Sequence, residues 1–207
     1  MNFNKEYWDQ RYKNEEMGWD IGYISTPIKE YIDQLENKEL KILIPGCGNA
    51  YEAEYLIEKG FKNVYVIDWS ENAMTSFRKR APDFPDQNFF CEDFFSHKGQ
   101  YDIIIEQTFF CALDPSMRAD YAKKMHELLK PNGKLAGLLF NDKLNDDKPP
   151  FGGNKEEYIK YFQPYFDFKT CETSYNSIKP RAGKEIFIDF IKKRVRIRIC
   201  WILGLRD

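Results

Sequence analysis

The stretch Lys41 to Ala50, KILIPGCGNA, constrains this chain more than any other. A short apolar run breaks off at Gly46 and Gly48 and passes into a helical pattern. A buried strand thereby hands its backbone to a helix N-terminus, where free N–H groups and the helix dipole favour a nucleotide-type ligand. Downstream, NVYVID closes on Asp68, twenty residues after Gly48. A carboxylate at the end of a second strand can accept hydrogen bonds from the two hydroxyls of a ribose. A glycine pair after an apolar run also occurs as a plain tight turn, and that is the competing reading. A dinucleotide fingerprint wants a third glycine where Tyr51 stands, and a ring there leaves less room for a pyrophosphate. A cofactor without a pyrophosphate fits better. S-adenosylmethionine is the commonest of that kind, with a dinucleotide-dependent oxidoreductase as the distant alternative.

The rest of the chain alternates strand and helix signals around that stretch. Asn4 reads as the cap of a first helix, and Pro27 opens a second with Ile28, Tyr31, Ile32 and Leu35 on one stripe. Asn49 and Glu52 have capping-box spacing for a third helix that stops at Gly60, and Ser70 caps a fourth. FFCEDFF gives a short strand closing at Glu92 and Asp93, where acids could meet an adenine amino group. YDIIIEQTFFCAL reads as a central strand because it is almost unbroken apolar sequence. Asp114-Pro115 starts the next helix, Pro131-Asn132-Gly133 ends it, and KLAGLLF is strand five. The polar segment NDKLNDDKPPFGGN is a candidate substrate loop. A helix around Tyr158 to Phe166, a strand near Lys169 to Thr173, a turn at Pro180 and a last strand EIFIDFI follow, the two strands forming a hairpin. The pattern predicts a doubly wound, Rossmann-like α/β sheet of seven mostly parallel strands with an antiparallel edge, its ligand at the carboxyl ends of the strands.

At 207 residues, with 43% hydrophobic and 31% charged residues, the chain has the size of one domain. We place that domain at 1–192, with 1–40 as an N-terminal helical lid. A net charge of -2 gives no overall pull toward nucleic acid or anionic lipid. No apolar run reaches the roughly 18 residues of a membrane span, so a cytoplasmic monomer with a small-molecule substrate is expected. Cys47, Cys91, Cys111, Cys171 and Cys200 form an odd set without a CxxC pair, which reads as buried thiols rather than disulfides or a zinc site. His97 and His126 read as surface residues, so neither a metal site nor a general base is expected. Trp8, Tyr12 and Trp19 could form an aromatic lid over a sulfonium cation, or an amphipathic helix that merely pins the N-terminus. The tail KKRVRIRICWILGLRD, from Lys192 on, is either a surface contact of residues 193–207 or an extension without a role.

Taken together, IPGCGNAYEAEYL, VIDWSENAM, EQTFFCALDPSMRADYAKKMHELLKPNGKL, PPF and PRAGKE resemble the thiopurine methyltransferase family, within the class I S-adenosylmethionine-dependent methyltransferases. Within that family, the halide and thiol methyltransferases of plants and bacteria are the nearest in pattern. The resemblance runs from about Trp8 to Phe190. It implies cofactor contacts at Trp8, Trp19, Gly46, Asp68 and Ser70, with Asp93 and Phe94 on the adenine side. Tyr12 stands where some members have a tryptophan, and Gln107 where plant members have a tyrosine. Phe151 stands where relatives have a tyrosine near the substrate, a departure that removes a hydroxyl. Arg181 lies in the shared PRAGKE motif beside the substrate. The activity implied is methyl transfer to a thiol, hydrosulfide or halide by direct in-line displacement. The alternative is a non-catalytic protein that keeps the cofactor fold.

Overall fold

The computed structural model describes residues 3–194. At its centre, β1 (Lys41–Pro45) is buried from Ile42 onward. A parallel strand inside a sheet is covered on both faces, so it reads as unbroken apolar sequence rather than as alternation. β2 (Asn63–Asp68) and β4 (Tyr101–Gln107) flank it in parallel, with β3 (Phe89–Cys91) beyond β2 and β5 (Leu129–Phe140) beyond β4. β7 (Glu185–Lys192) runs antiparallel between β5 and the edge strand β6 (Phe166–Thr173). The strand order is β3-β2-β1-β4-β5-β7-β6, the seven-stranded, mostly parallel sheet that the sequence predicts.

Successive side chains of a strand point to opposite faces, so each central strand feeds two cores. Ile42, Ile44, Ile103 and Ile105 pack with Ile28 and Ile32 of α2 (Thr26–Asp33), Leu56 of α3 (Tyr51–Glu58) and Phe77 of α4 (Glu71–Arg80). On the other face, Leu43 and Ile104 meet Tyr121 and Met125 of α5 (Arg118–Leu128) and Phe162 of α6 (Lys155–Phe162). Strand order reverses between β1 and β4. Connections diverge there and open a crevice at the strands' carboxyl ends, roofed by α1 (Lys5–Lys13).

Several local expectations give way to tertiary structure. Asn49 and Glu52 form no capping box: α3 starts from Ala50 at φ +54°, and the Asn49 amide donates to Asp20 instead. β4 ends at Gln107, and TFFCAL is not strand but a turn through Thr108 (φ +60°) into a 3-10 turn at Phe110–Ala112. Pro131 to Gly133 make a bulge inside β5, with Asn132 at φ +63°, so α5 passes into β5 without a loop. The sixth helix lies earlier than predicted and Phe166 already begins β6. β6 and β7 do pair, but residues 174–184 join them by a longer excursion holding a 3-10 turn at Lys179–Arg181. Cys91 is exposed while Cys47, Cys111 and Cys171 are buried. His97 is buried, not on the surface. The tail lies, from Val195 on, outside the described residues, as does Cys200.

Candidate functional site

The crevice is a cavity of about 590 Å³ at the carboxyl ends of β1, β2 and β4, a size that holds a nucleoside-type ligand with room beside it. Its floor is the first glycine turn. Gly46 and Gly48 sit at φ +57° and +52°, a left-handed conformation that disfavours any Cβ. Space forbids one as well: a Cβ on Gly46 would lie 2.3 Å from the Phe109 ring, and one on Gly48 would lie 2.6 Å from the Tyr12 hydroxyl. The backbone can therefore approach a ligand closely only with glycine at both positions.

Asp68 fixes this turn from the neighbouring strand. Its Oδ2 accepts from the Gly48 N–H at 2.9 Å and its Oδ1 from the Ser70 N–H at 2.8 Å. Burial raises its pKa, and backbone N–H groups of Ser70, Gly48 and Trp69 oppose the rise. Carboxylate lone pairs left over face the cavity that Asp68 and Trp69 line. Ser70 is itself fully buried and caps α4, its hydroxyl donating to Asp9 of α1 at 2.7 Å. It therefore ties the roof to the floor rather than lining the cavity.

The roof is aromatic. Asn4 caps α1 through the Tyr7 N–H, and Lys5 pairs with Glu71 of α4 at 2.7 Å. Trp8, Tyr12 and Trp19 all line the cavity, Trp19 meeting the other two edge-on at 5.7 and 5.8 Å. The Arg11 guanidinium lies 5.1 Å from the Trp19 ring centre, and Arg181 donates to the Trp19 carbonyl at 2.7 Å. The helix thus pins the N-terminus, and its aromatic side chains line the cavity.

On the far wall, Asp93 and Phe94 line the cavity, Phe94 packing edge-on against Phe109 at 5.1 Å. Behind them His97 accepts or donates between Glu92 Oε1 at 2.6 Å and the Tyr101 hydroxyl at 2.7 Å, a buried bridge under the Asp93 loop. Gln107 lines a smaller adjoining cavity and accepts from the Ser25 hydroxyl at 2.8 Å. Phe151 is 3% exposed and packs on Phe3 behind the wall, while its neighbours Pro149 and Pro150 do line the cavity. Arg118, from the DPSMR motif, holds this loop through Glu157 and the Gly152 carbonyl.

Sequence reading missed the residues that shape the inner end. Glu106 is fully buried, and its Oε1 accepts from the N–H groups of Phe109 (2.8 Å) and Phe110 (2.9 Å) while its other oxygen pairs with the Tyr121 hydroxyl. That carboxyl turns the chain and presents Phe109 and Cys111 to the cavity. Burial raises Glu106 to about 7 and pushes the Cys111 thiol up to about 12. An acid inside an apolar run was the available signal, since a charge there needs partners.

A glycine cradle that no Cβ could enter, a half-buried acid at the end of β2 and an aromatic roof fit an adenosyl sulfonium cofactor. They define a class I S-adenosylmethionine-dependent methyltransferase. The family model for thiopurine S-methyltransferase matches residues 3–198, and the chain belongs to that family. It is 28% identical over 184 residues to a probable thiol methyltransferase 2 of Arabidopsis thaliana, covering 86% of this chain and 81% of the relative. It is 29% identical to thiocyanate methyltransferase 1 of Brassica oleracea, with the same coverage, and 23% identical over 180 residues to a thiopurine S-methyltransferase of Vibrio atlanticus, covering 78% and 82%. Among solved structures, a Burkholderia thailandensis 1,6-didemethyltoxoflavin N1-methyltransferase with bound S-adenosylhomocysteine superposes with a TM-score of 0.74 at 16% identity, covering 91% of this chain and 86% of the other. A Synechocystis magnesium protoporphyrin IX methyltransferase with bound S-adenosylmethionine gives 0.69 at 13%, covering 93% and 98%. The protein is an S-adenosylmethionine-dependent methyltransferase.

Proposed function

We propose that the acceptor is a small soft nucleophile: a thiol, hydrosulfide or halide. One observation carries this reading: the inner end of the cavity is walled by Phe109, Cys111, Ala112, Leu113, Met117, Phe140, Pro149 and Pro150. Such a wall is mostly apolar, and Asp114, which lines it too, accepts from the Ser116 hydroxyl and N–H, which hold its carboxyl below the usual carboxylate range and make it a poor base. The Cys111 thiol, with its proton affinity raised to about 12, does not serve as a base, and Glu106 is sealed behind Phe109 and Phe110. The names of the relatives, two of which specify thiol or thiocyanate and one thiopurine, support a sulfur-type acceptor.

On this reading Asp68 with the Gly46–Gly48 turn, the Trp8–Tyr12–Trp19 roof and the Asp93–Phe94 wall hold the cofactor, which supplies a methyl group on a sulfonium and departs neutral. The protein's work is alignment and exclusion of water, since an anionic nucleophile arrives already charged. Arg181, at the meeting of both cavities, adds positive charge for an anion. A reducing cytosolic setting belongs to the reading, supported by free thiols at Cys47, Cys91, Cys111 and Cys171; no helix among the described residues is long and apolar enough to cross a membrane.

The test is methyl transfer to iodide, hydrosulfide, a simple thiol and a thiopurine across pH. Turnover with iodide is expected to be nearly flat, because a halide is charged at every pH. Turnover with the thiol is expected to climb toward about pH 8.5 with thiolate fraction. Methylation confined to an oxygen or nitrogen acceptor would refute the reading.

A further inference from the structure

A second, smaller cavity of about 60 Å³ opens off the first, sharing Tyr12, Trp19, Gly46, Thr108 and Arg181 with it. At about 10–15 Å³ for each water-sized group, it has room for roughly four to six such groups. A purine is too large, whereas an α-amino-acid head is that size: one nitrogen, two oxygens and two carbons.

Glu52, in the first turn of α3, lines this cavity and is only 7% exposed. Among the described residues no side chain donates to its carboxylate; the hydrogen bond it has is to its own backbone N–H. A buried carboxylate left this way is costly. Acids on or behind these cavity walls have donors: Asp68 two backbone N–H groups, Glu106 three donors and Glu185 Arg181 at 3.5 Å. Asp189, buried on β7 away from the cavities, leaves Oδ1 without a partner but pairs with Lys169 at 3.1 Å. Asp20, on the same wall, is engaged by the Asn49 amide, the Tyr51 hydroxyl and the Gly22 N–H. Glu52 alone among them faces a space with nothing to meet. With Asp20 and Arg181 beside it, the wall carries both signs of charge, the complement of a zwitterion.

We propose that Glu52 binds the α-ammonium group of the cofactor's methionine end, and that the small cavity is the seat of that amino-acid head. This rests on the cofactor half of the function above and not on the identity of the acceptor. Burial raises the Glu52 pKa to about 7, with neighbouring Asp20 and Glu54 adding to the rise and Arg181 opposing it. A bound cation is what the site lacks to keep that carboxyl ionised at neutrality. Sequence reading assigned Glu52 to a capping box, a role the chain does not use.

The test compares two ligands by calorimetric titration: S-adenosylhomocysteine, which has the amino-acid head, and 5′-methylthioadenosine, which lacks it. Glu52→Gln keeps the shape and removes the charge. It is expected to weaken S-adenosylhomocysteine binding at least tenfold and to leave 5′-methylthioadenosine within about twofold, which also shows the fold intact. Equal losses for both ligands, or no loss for either, would overturn the proposal. Wild-type protein gives a second reading that needs no variant: desamino-S-adenosylhomocysteine, with the carboxylate but no ammonium, is expected to bind at least tenfold more weakly than the parent. Equal binding of the two would overturn it too. Failure to methylate any soft nucleophile would sink the acceptor reading and leave these affinities as they are.

Discussion

Replacing Glu106 tests whether a buried acid sets the inner wall of the site. In Glu106→Ala the N–H groups of Phe109 and Phe110 and the Tyr121 hydroxyl lose their partner inside a packed core. Each orphaned group costs about 1–3 kcal/mol, so a loss of at least about 3 kcal/mol is expected, or roughly 6–12 °C of melting temperature for a chain of this size. Glu106→Gln is nearly the same shape: its carbonyl can accept from both N–H groups and its amide can face Tyr121, and a loss of at most about 1 kcal/mol is expected. The two variants also separate by pH. The Glu106 carboxyl has its pKa raised by burial from 4.5 to about 7, so the folded state holds a proton more tightly than the unfolded one. The stability it contributes is complete below about pH 4.5 and is lost as pH rises through about 7. At roughly 1.4 kcal/mol per tenfold change in proton affinity, the wild-type chain should lose about 3 kcal/mol from this residue between pH 4.5 and 8, and Glu106→Gln should not. Urea melts of both proteins at intervals from pH 5 to 8 measure the difference. If the glutamine variant keeps the full wild-type pH slope, Glu106 is ionised throughout that range in the folded protein and the account of its raised proton affinity is wrong.

Two further substitutions address the rest of the site. Asp68→Ala is expected to raise the S-adenosylhomocysteine dissociation constant at least tenfold, because two ribose hydroxyls and the Gly48 N–H lose a charged acceptor worth about 1.5–3 kcal/mol; an unchanged constant in titration would mean the acid serves only the turn. His97→Ala is expected to cost about 2 kcal/mol or more in thermal melts, since Glu92 and the buried Tyr101 hydroxyl both lose their bridge, while the pH profile of thiol methylation keeps its shape. Loss of thiol turnover with cofactor affinity intact would put a histidine into the chemistry.

What could be read from the sequence was what apolar periodicity and backbone special positions encode. The central strands, the Gly46–Gly48 turn, Asp68 at the end of β2 and the Trp8–Tyr12 face of α1 all follow from local pattern, and the mostly parallel sheet with its antiparallel edge follows from strand-helix alternation and the final hairpin. TFFCAL misled because five of its six residues are apolar. Nothing local says that Glu106, just upstream, captures the next N–H groups and ends the strand. His97 misled for the opposite reason: SHKG is polar, yet Tyr101 and Glu92 close around the ring.

Polar groups whose partners come from other elements are what local pattern cannot price, and they sort into two kinds only when partners are counted. Glu106 and Glu52 are alike in burial and in the direction and cause of their raised pKa. They differ in satisfaction. Tyr121 and two backbone N–H groups complete Glu106, so its energy is settled within the fold and its role is to hold a wall. No side chain completes Glu52, and it borders a cavity rather than packed atoms. A fold that keeps an incomplete buried acid at a cavity wall gives up stability there, and a cation that completes the acid recovers it on binding. The difference between a structural and a ligand-binding carboxylate in this protein therefore lies in an absent partner, which a hydrophobic pattern has no means to register.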